Sequence, residues 1–336
     1  MKRIDNIYGQ IISVDNLRLA HYNARKGKAY YRDVKKVNEN EVLYINSLHK
    51  LLKNKQFKNS EYEIFERTFG QKTRTIYKLP YYPDRIIHHA ILQILEPVWK
   101  KIFIRDTYQS IRGRGVHDAL HRIERVLRKE KPLYCLKIDV HHFYPSVDNE
   151  IMKQIIRKKI KCNDTLYLLD EIIDSTKGLP IGNYLSQYLG NLYLAYFDHF
   201  IKQTYHLKYY YRYCDDIVIM HDDKRYLHIV LLAIKTYLND HLKLSLNSNY
   251  QVFQIGSRPI DFLGYKFYHT HTLIRNSIKK SFIKKARSYN KKPSESKQRS
   301  LSSLYGWISH ANGHNLLTKH LGKEYENIIC SSKAAV

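Results

Sequence analysis

The sequence predicts an α+β chain in which short strands, gathered between residues 71 and 274, are set among helices. Three observations carry this. Residues 209–220, YYYRYCDDIVIM, read as two short strands meeting at Cys214-Asp215-Asp216. LYCLKIDVHHFYPSV (133–147) reads as a strand running into an aromatic turn. Residues 84–100 and 224–240 carry apolar side chains at helical spacing: Ile86, Ile87, Ala90, Ile91, Ile94 and Leu95 in one, Leu227, Leu231, Ile234 and Leu238 in the other.

The other elements follow in order. Residues 10–60 read as helices rich in Lys and Arg. QKTRTIYKLPYYPDR (71–85) alternates basic with apolar residues and breaks at Pro80 and Pro83, which suits a strand or hairpin with a basic face. Residues 148–161 read as a helix with Ile151, Ile155 and Ile156 inward. GLPIGNYLSQYLGNLYLAYFDHFI (178–201) reads as a Gly-Pro turn entering one long apolar helix, and IDFLGYKFYHTHTLI (260–274) as a strand pair. Residues 275–300 hold ten Lys or Arg against one acid, Glu295, and SLYGWISHANGHNLL (303–317) reads as a further helix. A basic helical C-terminal domain beginning near 270 is expected. No Ser/Gly-rich linker or repeat of 20 to 50 residues interrupts the chain.

Charge narrows the partners. The 336 residues include 57 Lys or Arg and 31 Asp or Glu, a net +26. Such an excess repels itself unless something anionic neutralises it. Nucleic acid is the first candidate. An anionic membrane is the second, but it needs an anchor, and no apolar run approaches the roughly 18 residues of a membrane span. The opening MKRIDNIYGQ lacks the apolar core of a signal peptide. A soluble, cytoplasmic protein with no membrane partner is expected. Cys135, Cys162, Cys214 and Cys330 are scattered without a CxxC, so isolated reduced thiols are expected rather than disulfides or a zinc site. The neighbours His88/His89 and His141/His142 cannot both face one way on a regular element.

The carboxylates suggest chemistry. A hairpin at 209–220 puts Asp215 and Asp216 at its tip, and a divalent cation would offset their repulsion. Asp139 ends the apolar strand LYCLKID. A strand-end carboxylate opposite a carboxylate-bearing hairpin is the layout that two metal ions require, one activating a primer 3′-hydroxyl and one holding a triphosphate. Taken alone, the Asp pair reads equally as ordinary turn residues.

Five segments, in order over roughly residues 70–270, resemble the reverse transcriptase family. YCDD (213–216) resembles its YxDD box, and IDVHHFYPSV (138–147) its first aspartate motif. KTRTIYKLPYYPDRIIHHAI resembles the fingers motif, GLPIGNYLSQYLGNLYL the box at the nascent base pair, and FLGY (262–265) the primer grip. The resemblance implies a right-hand polymerase: an N-terminal extension and fingers over 1–130, with the palm starting near 85, a palm with a central antiparallel sheet over 131–270, and a basic helical thumb over 271–336. It implies that Asp139, Asp215 and Asp216 are catalytic and hold two Mg²⁺ ions (Mn²⁺ substituting), with the Val140 carbonyl as a further ligand. Lys72 and Arg74 would face the incoming triphosphate. Tyr144 would exclude a ribose 2′-OH, with Phe143 turned to the core, and Ile181 and Gly182 would flank the nascent pair. Tyr213, Gln187, Phe262, Leu263, Gly264, Lys279, Lys280, Lys284 and Lys285 would touch primer and template. The implied partners are dNTPs, template RNA and an RNA–DNA hybrid. A solvated charged helix remains the plain reading of 275–300. Tyr305 and Trp307 fit a thumb core or a stacking surface.

One subgroup resembles the chain more closely. Most prokaryotic members carry Gln where this chain has Ile181, and Pro where it has Gln187. The IGNYLSQ form, SIRGRGVHDA (110–119), NARKGK (23–28) and NYQVF (249–253) resemble the reverse transcriptases of diversity-generating retroelements. That resemblance implies a prokaryotic or phage-encoded enzyme that copies a template-repeat RNA with errors opposite adenine. It also implies a small basic accessory protein forming a pentameric helical barrel. Ile181 offers contact without a directional bond, so a polar check on the nascent pair would be lost; simple packing also explains it. A retron, abortive-infection or other defence enzyme, a trimmed group II intron enzyme, and a non-catalytic maturase-like RNA-binding protein stay open. Too few residues follow 317 for a ribonuclease H or integrase domain. A general acid for pyrophosphate release is unassigned, since 242–251 offers only Lys243.

Overall fold

The helix Ile86–Lys100 is buried on more than one side. Ile86, Ile87, Ala90, Ile91 and Leu95 are inside as their spacing predicts, and so are His88, His89 and Trp99. This structure, a computed structural model, describes residues 3–70, 72–323 and 325–330. Residue 324, residues 331–336 of the expected thumb, and the Cys330 side chain lie outside the described residues. The chain divides into two compact units, one of residues 1–111, 139–206 and 232–248, the other of 112–138, 207–231 and 249–336.

In the first unit the helices Tyr8–Ile12, Val14–Ala24, Arg32–Glu39 and Glu41–Lys53 fill the expected helical region. Asn16 ties one of them to the buried helix: its Nδ2 donates to the Ala90 carbonyl at 3.1 Å, and its Oδ1 accepts from Gln93 at 2.8 Å. Strands β1 (Glu63–Phe69) and β2 (Lys72–Lys78) form an antiparallel hairpin, and Thr107–Tyr108 is a short strand, β3. The helix Asn149–Arg157 begins at Asp148, whose carboxylate accepts from the Ile151 N–H at 3.0 Å. Met152 rather than Ile151 joins Ile155 and Ile156 inside. The helix Asn163–Ile173 was not anticipated. The expected long helix over 178–201 is two, Ser186–Tyr193 and Ala195–Thr204, broken at Leu194.

In the second unit β4 (Tyr134–Asp139, shared with the first at its last residue), β5 (Tyr209–Tyr213), β6 (Asp216–His221) and β7 (Gln251–Gln254) lie in the order β5-β6-β4-β7. The pairs β5–β6 and β4–β7 are antiparallel. The expected strand pair over 260–274 is a three-stranded antiparallel meander, β8 (Ile260–Phe262), β9 (Tyr265–Phe267) and β10 (Thr272–Ile274). The helix Val116–Lys129 was also not anticipated. The helices Asn276–Lys291, Glu295–Ile308, His314–Leu321 and Tyr325–Cys330 make the basic C-terminal part. The single helix expected over 303–317 stops at Ile308. There Asn312 donates its N–H to the Thr272 carbonyl at 2.8 Å and accepts the Thr272 N–H at 2.9 Å, which docks the break on β10. Cys135, Cys162 and Cys214 are buried thiols. Among the described residues no helix is long and apolar enough to cross a membrane.

Candidate functional site

The turn that carries Asp215 and Asp216 is built from beneath. β5 and β6 pair from Tyr209↔Met220 to Tyr213↔Asp216, which leaves Cys214-Asp215 as a two-residue turn. Ile217 to Met220 anchor one arm and Tyr210 and Tyr211 the other, all buried. Cys214 adopts a left-handed conformation, φ 57°, which costs a non-glycine residue and needs support. Arg212, fully buried, supplies it: its Nη1 donates to the Cys214 carbonyl at 3.0 Å. The two aspartates stay half-buried at the tip. Arg212 was legible only as one basic residue in an aromatic stretch.

Asp139 is held by a residue that the sequence reading passed over. Asn247 donates its Nδ2 to Asp139 Oδ2 at 2.7 Å and its N–H to the Asp139 carbonyl at 2.9 Å. His141 donates its N–H to the Ser245 carbonyl at 2.8 Å, so Val140 sits opposite Leu246 in a non-hydrogen-bonded pair. The ladder thus uses the groups of Asp139 and His141 and leaves the Val140 carbonyl outside it. Lys243, the one candidate for a general acid in 242–251, reaches Asp148 Oδ2 at 2.6 Å. That hydrogen bond holds the Asp148 carboxyl below its usual range, and it commits Lys243 to a helix start.

The residues expected around a nucleotide are joined by backbone contacts within the first unit. Tyr77 of β2 donates its N–H to the Ile181 carbonyl at 2.7 Å. Gly182 has φ 120°, and a Cβ there would lie 2.5 Å from the Tyr77 carbonyl oxygen, so only glycine permits this approach. Leu179 donates its N–H to the Tyr144 carbonyl at 2.8 Å. The loop 178–182 therefore links β2 to the Tyr144 turn. Phe143 is buried and Tyr144 half-buried, the division expected. Lys72 and Arg74 are exposed and share one face of β2. Arg74 stands opposite Arg67 in the hairpin, an arrangement of like charges that an anion would relieve. Tyr184 stacks on His89 with ring centroids 3.9 Å apart. Gln187 accepts a short hydrogen bond from the Ser110 hydroxyl, which orients its amide.

The FLGY turn is a support rather than an open surface. Phe262 is fully buried and Leu263 nearly so, which corrects the expectation that these two side chains touch primer: packing inside holds the turn in place. Leu263 and Gly264 have φ 54° and 82°, and a Cβ on Gly264 would lie 2.7 Å from the Trp307 ring. Trp307, half-buried, thus packs against the Gly264 turn, with its carbonyl accepting from the Tyr265 hydroxyl at 3.1 Å. Tyr213, the last residue of β5 before the Cys214-Asp215 turn, is half-buried. On the helix Asn276–Lys291, Lys280 and Lys284 line one shallow depression with Arg287 and Lys291, while Phe282 and Ala286 face inward. Lys279 and Lys285 lie on the same helix outside that lining.

Among the described residues no group of three or more His, Cys, Asp or Glu is set to hold a metal ion. The donors expected for one, three carboxylates and a main-chain carbonyl, are all oxygens. That set suits a hard divalent cation such as Mg²⁺ or Mn²⁺ and not zinc.

Comparison with known proteins identifies a family and a fold. Residues 58–267 match the family described as reverse transcriptase (RNA-dependent DNA polymerase). Protein YkfC of Escherichia coli (strain K12) is 23% identical over 141 residues, which are 38% of this chain and 37% of that protein. Apo telomerase from Candida tropicalis shares 12% identity at a TM-score of 0.56, covering 82% of this chain and 58% of that one. Telomerase from Candida albicans, in complex with a TWJ fragment of telomeric RNA, shares 10% identity at 0.52, covering 84% and 58%. The chain therefore spans well under two thirds of each of these relatives. The likeness shows the fold: helices and strands mixed around a central sheet, as in a right-hand polymerase.

Proposed function

This chain belongs to the reverse transcriptase (RNA-dependent DNA polymerase) family, and we propose from that premise that it polymerises dNTPs into DNA on an RNA template. The observation that carries the reading is the Asp215-Asp216 turn, a pair of adjacent carboxylates held at a hairpin tip by a buried arginine. Asp139, Asp215 and Asp216 are the catalytic carboxylates. When bound by them and by the Val140 carbonyl, two Mg²⁺ or Mn²⁺ ions supply charge neutralisation and activate the primer 3′-hydroxyl. Lys72 and Arg74 bind the triphosphate by charge and hydrogen bonds. Tyr144, fixed through its carbonyl to Leu179, blocks a ribose 2′-OH. Gly182 brings the loop backbone against β2 at the nascent pair. Lys280 and Lys284, with Lys279 and Lys285 beside them, hold the hybrid's phosphates without reading sequence. Fingers, palm and thumb divide near 130 and 270.

We further propose the diversity-generating type, in which a template-repeat RNA is copied with errors opposite adenine. Ile181 supports it: an apolar side chain stands where most prokaryotic relatives carry Gln, so the nascent pair meets no polar check. The net +26 charge suits a large RNA partner, and the accessory barrel protein of that type would share it. The site of action is then the cytoplasm of a prokaryotic or phage-infected cell. A retron or other defence enzyme is the second reading, since the aspartates serve it equally.

Primer extension on a mixed-sequence RNA template with Mg²⁺ and four dNTPs, with the cDNA deep-sequenced, tests both levels. Errors concentrated opposite template adenines, and reduced by Ile181→Gln, are expected. Accurate synthesis would leave the polymerase and overturn the mutagenic role.

A further inference from the structure

Lys137 has contacts that none of the roles above uses. It lies two residues before Asp139 on β4, and its Nζ stands 3.8 Å from Asp216 Oδ2. The same Nζ donates to the main-chain carbonyl of Asp261 on β8 at 2.5 Å. The Asp261 carboxylate accepts in turn from Arg275, whose Nε and Nη2 lie 2.7 and 2.6 Å from its Oδ1. Arg275 precedes the basic helix Asn276–Lys291 and donates its N–H to the Gly264 carbonyl at 2.8 Å. A continuous path inside the second unit thus runs from the Asp216 carboxylate to the root of the basic helix. A lysine stem is flexible and its ammonium ordinarily roams; the bond to the Asp261 carbonyl fixes this one. At 3.8 Å the contact with Asp216 is one of charge rather than a directional hydrogen bond. The ammonium therefore offsets the repulsion between Asp215 and Asp216.

We propose that Lys137 is a positioning residue for Asp216. It refers that carboxylate to the strand bearing the 262–264 turn and, through Asp261 and Arg275, to the base of the basic helix. The proposal rests on the polymerase reading above. A carboxylate so held stays in register with the basic helix that grips the hybrid. The nearby cation also works against metal binding, so its loss should tighten metal binding and slow turnover together.

The test compares wild type with Lys137→Met, which keeps the stem's length, and Lys137→Arg, which keeps the charge. Mn²⁺ binding is read by electron paramagnetic resonance, and single-turnover extension and hybrid affinity are read on the same preparations, with melting temperatures as a fold control. For Lys137→Met the expected result is Mn²⁺ bound about threefold or more tighter, extension slowed about 10- to 100-fold, and hybrid affinity within about twofold of wild type. Lys137→Arg should recover most of the rate. Extension at the wild-type rate in Lys137→Met, or weaker Mn²⁺ binding, overturns the proposal, as does a Lys137→Arg as slow as Lys137→Met with an unchanged melting temperature. Wild type that binds Mn²⁺ but extends nothing counts against the polymerase reading instead, and the Mn²⁺ comparison still decides for or against Lys137.

Discussion

Asn247 holds Asp139 twice, by a 2.7 Å bond from its side-chain amide to Oδ2 and a 2.9 Å bond from its N–H to the Asp139 carbonyl, across 108 residues of chain. Asn247→Ala removes the first bond and keeps the second. The carboxylate then keeps its place on the backbone and loses one orienting partner. Extension should slow by about tenfold, the scale of a lost orienting partner at a metal ligand, with the melting temperature little changed. Single-turnover extension at saturating dNTP checks this.

Gly182→Ala meets two penalties, a φ of 120° and a Tyr77 carbonyl 2.5 Å from the new methyl. A destabilisation of about 2–4 kcal/mol is expected, or detachment of the loop from β2. Urea unfolding and the KM for dNTP report which occurs.

His88 and His89 set a pH dependence. Burial pushes both imidazoles down to about 3, against an ordinary value near 6.5. They stay neutral in the folded chain and take up protons on unfolding. The unfolded state therefore binds more protons below pH ~6.5, and stability falls as pH drops from there towards 3. The slope is up to about 1.4 kcal/mol per pH unit for each ring. Melting temperatures from pH 7.5 to 4.5 should fall steeply in wild type and less steeply in His88→Leu.

Lys280 and Lys284 share one depression on the basic helix. If both neutralise phosphates, Lys280→Gln with Lys284→Gln lowers the slope of log affinity against log salt by about 1 to 2. The weakening should be the same for every hybrid sequence. Fluorescence anisotropy over a salt series measures it.

Where the sequence was legible, the signal was local. Alternation exposed the basic face of β2, and the 3.6-residue period exposed the helix Lys224–Leu242, with Leu227, Leu231, Ile234 and Leu238 inside. The aspartates stood out because adjacent charges beside Ile217 and Val218 need an explanation. What stayed hidden depends on contacts distant in sequence. Nothing in LKLSLNSNYQ marks Asn247 as the partner of Asp139, or Lys243 as that of Asp148. Lys137 reads as one more basic residue until β8 brings the Asp261 carbonyl to it. The break after Ile308 needs Thr272, 40 residues earlier. Phe262 looked like part of a grip because its motif is defined by neighbours in sequence, while its burial is decided by packing.

The most direct test of the central claim is primer extension on an RNA template by wild type and by Asp215→Asn with Asp216→Asn, with hybrid affinity measured in parallel. Mg²⁺-dependent cDNA is expected from wild type and a loss of at least about a thousandfold in the variant, with hybrid affinity within a few-fold. Equal extension by the two proteins, or a wild type that binds the hybrid and makes no DNA, would contradict it.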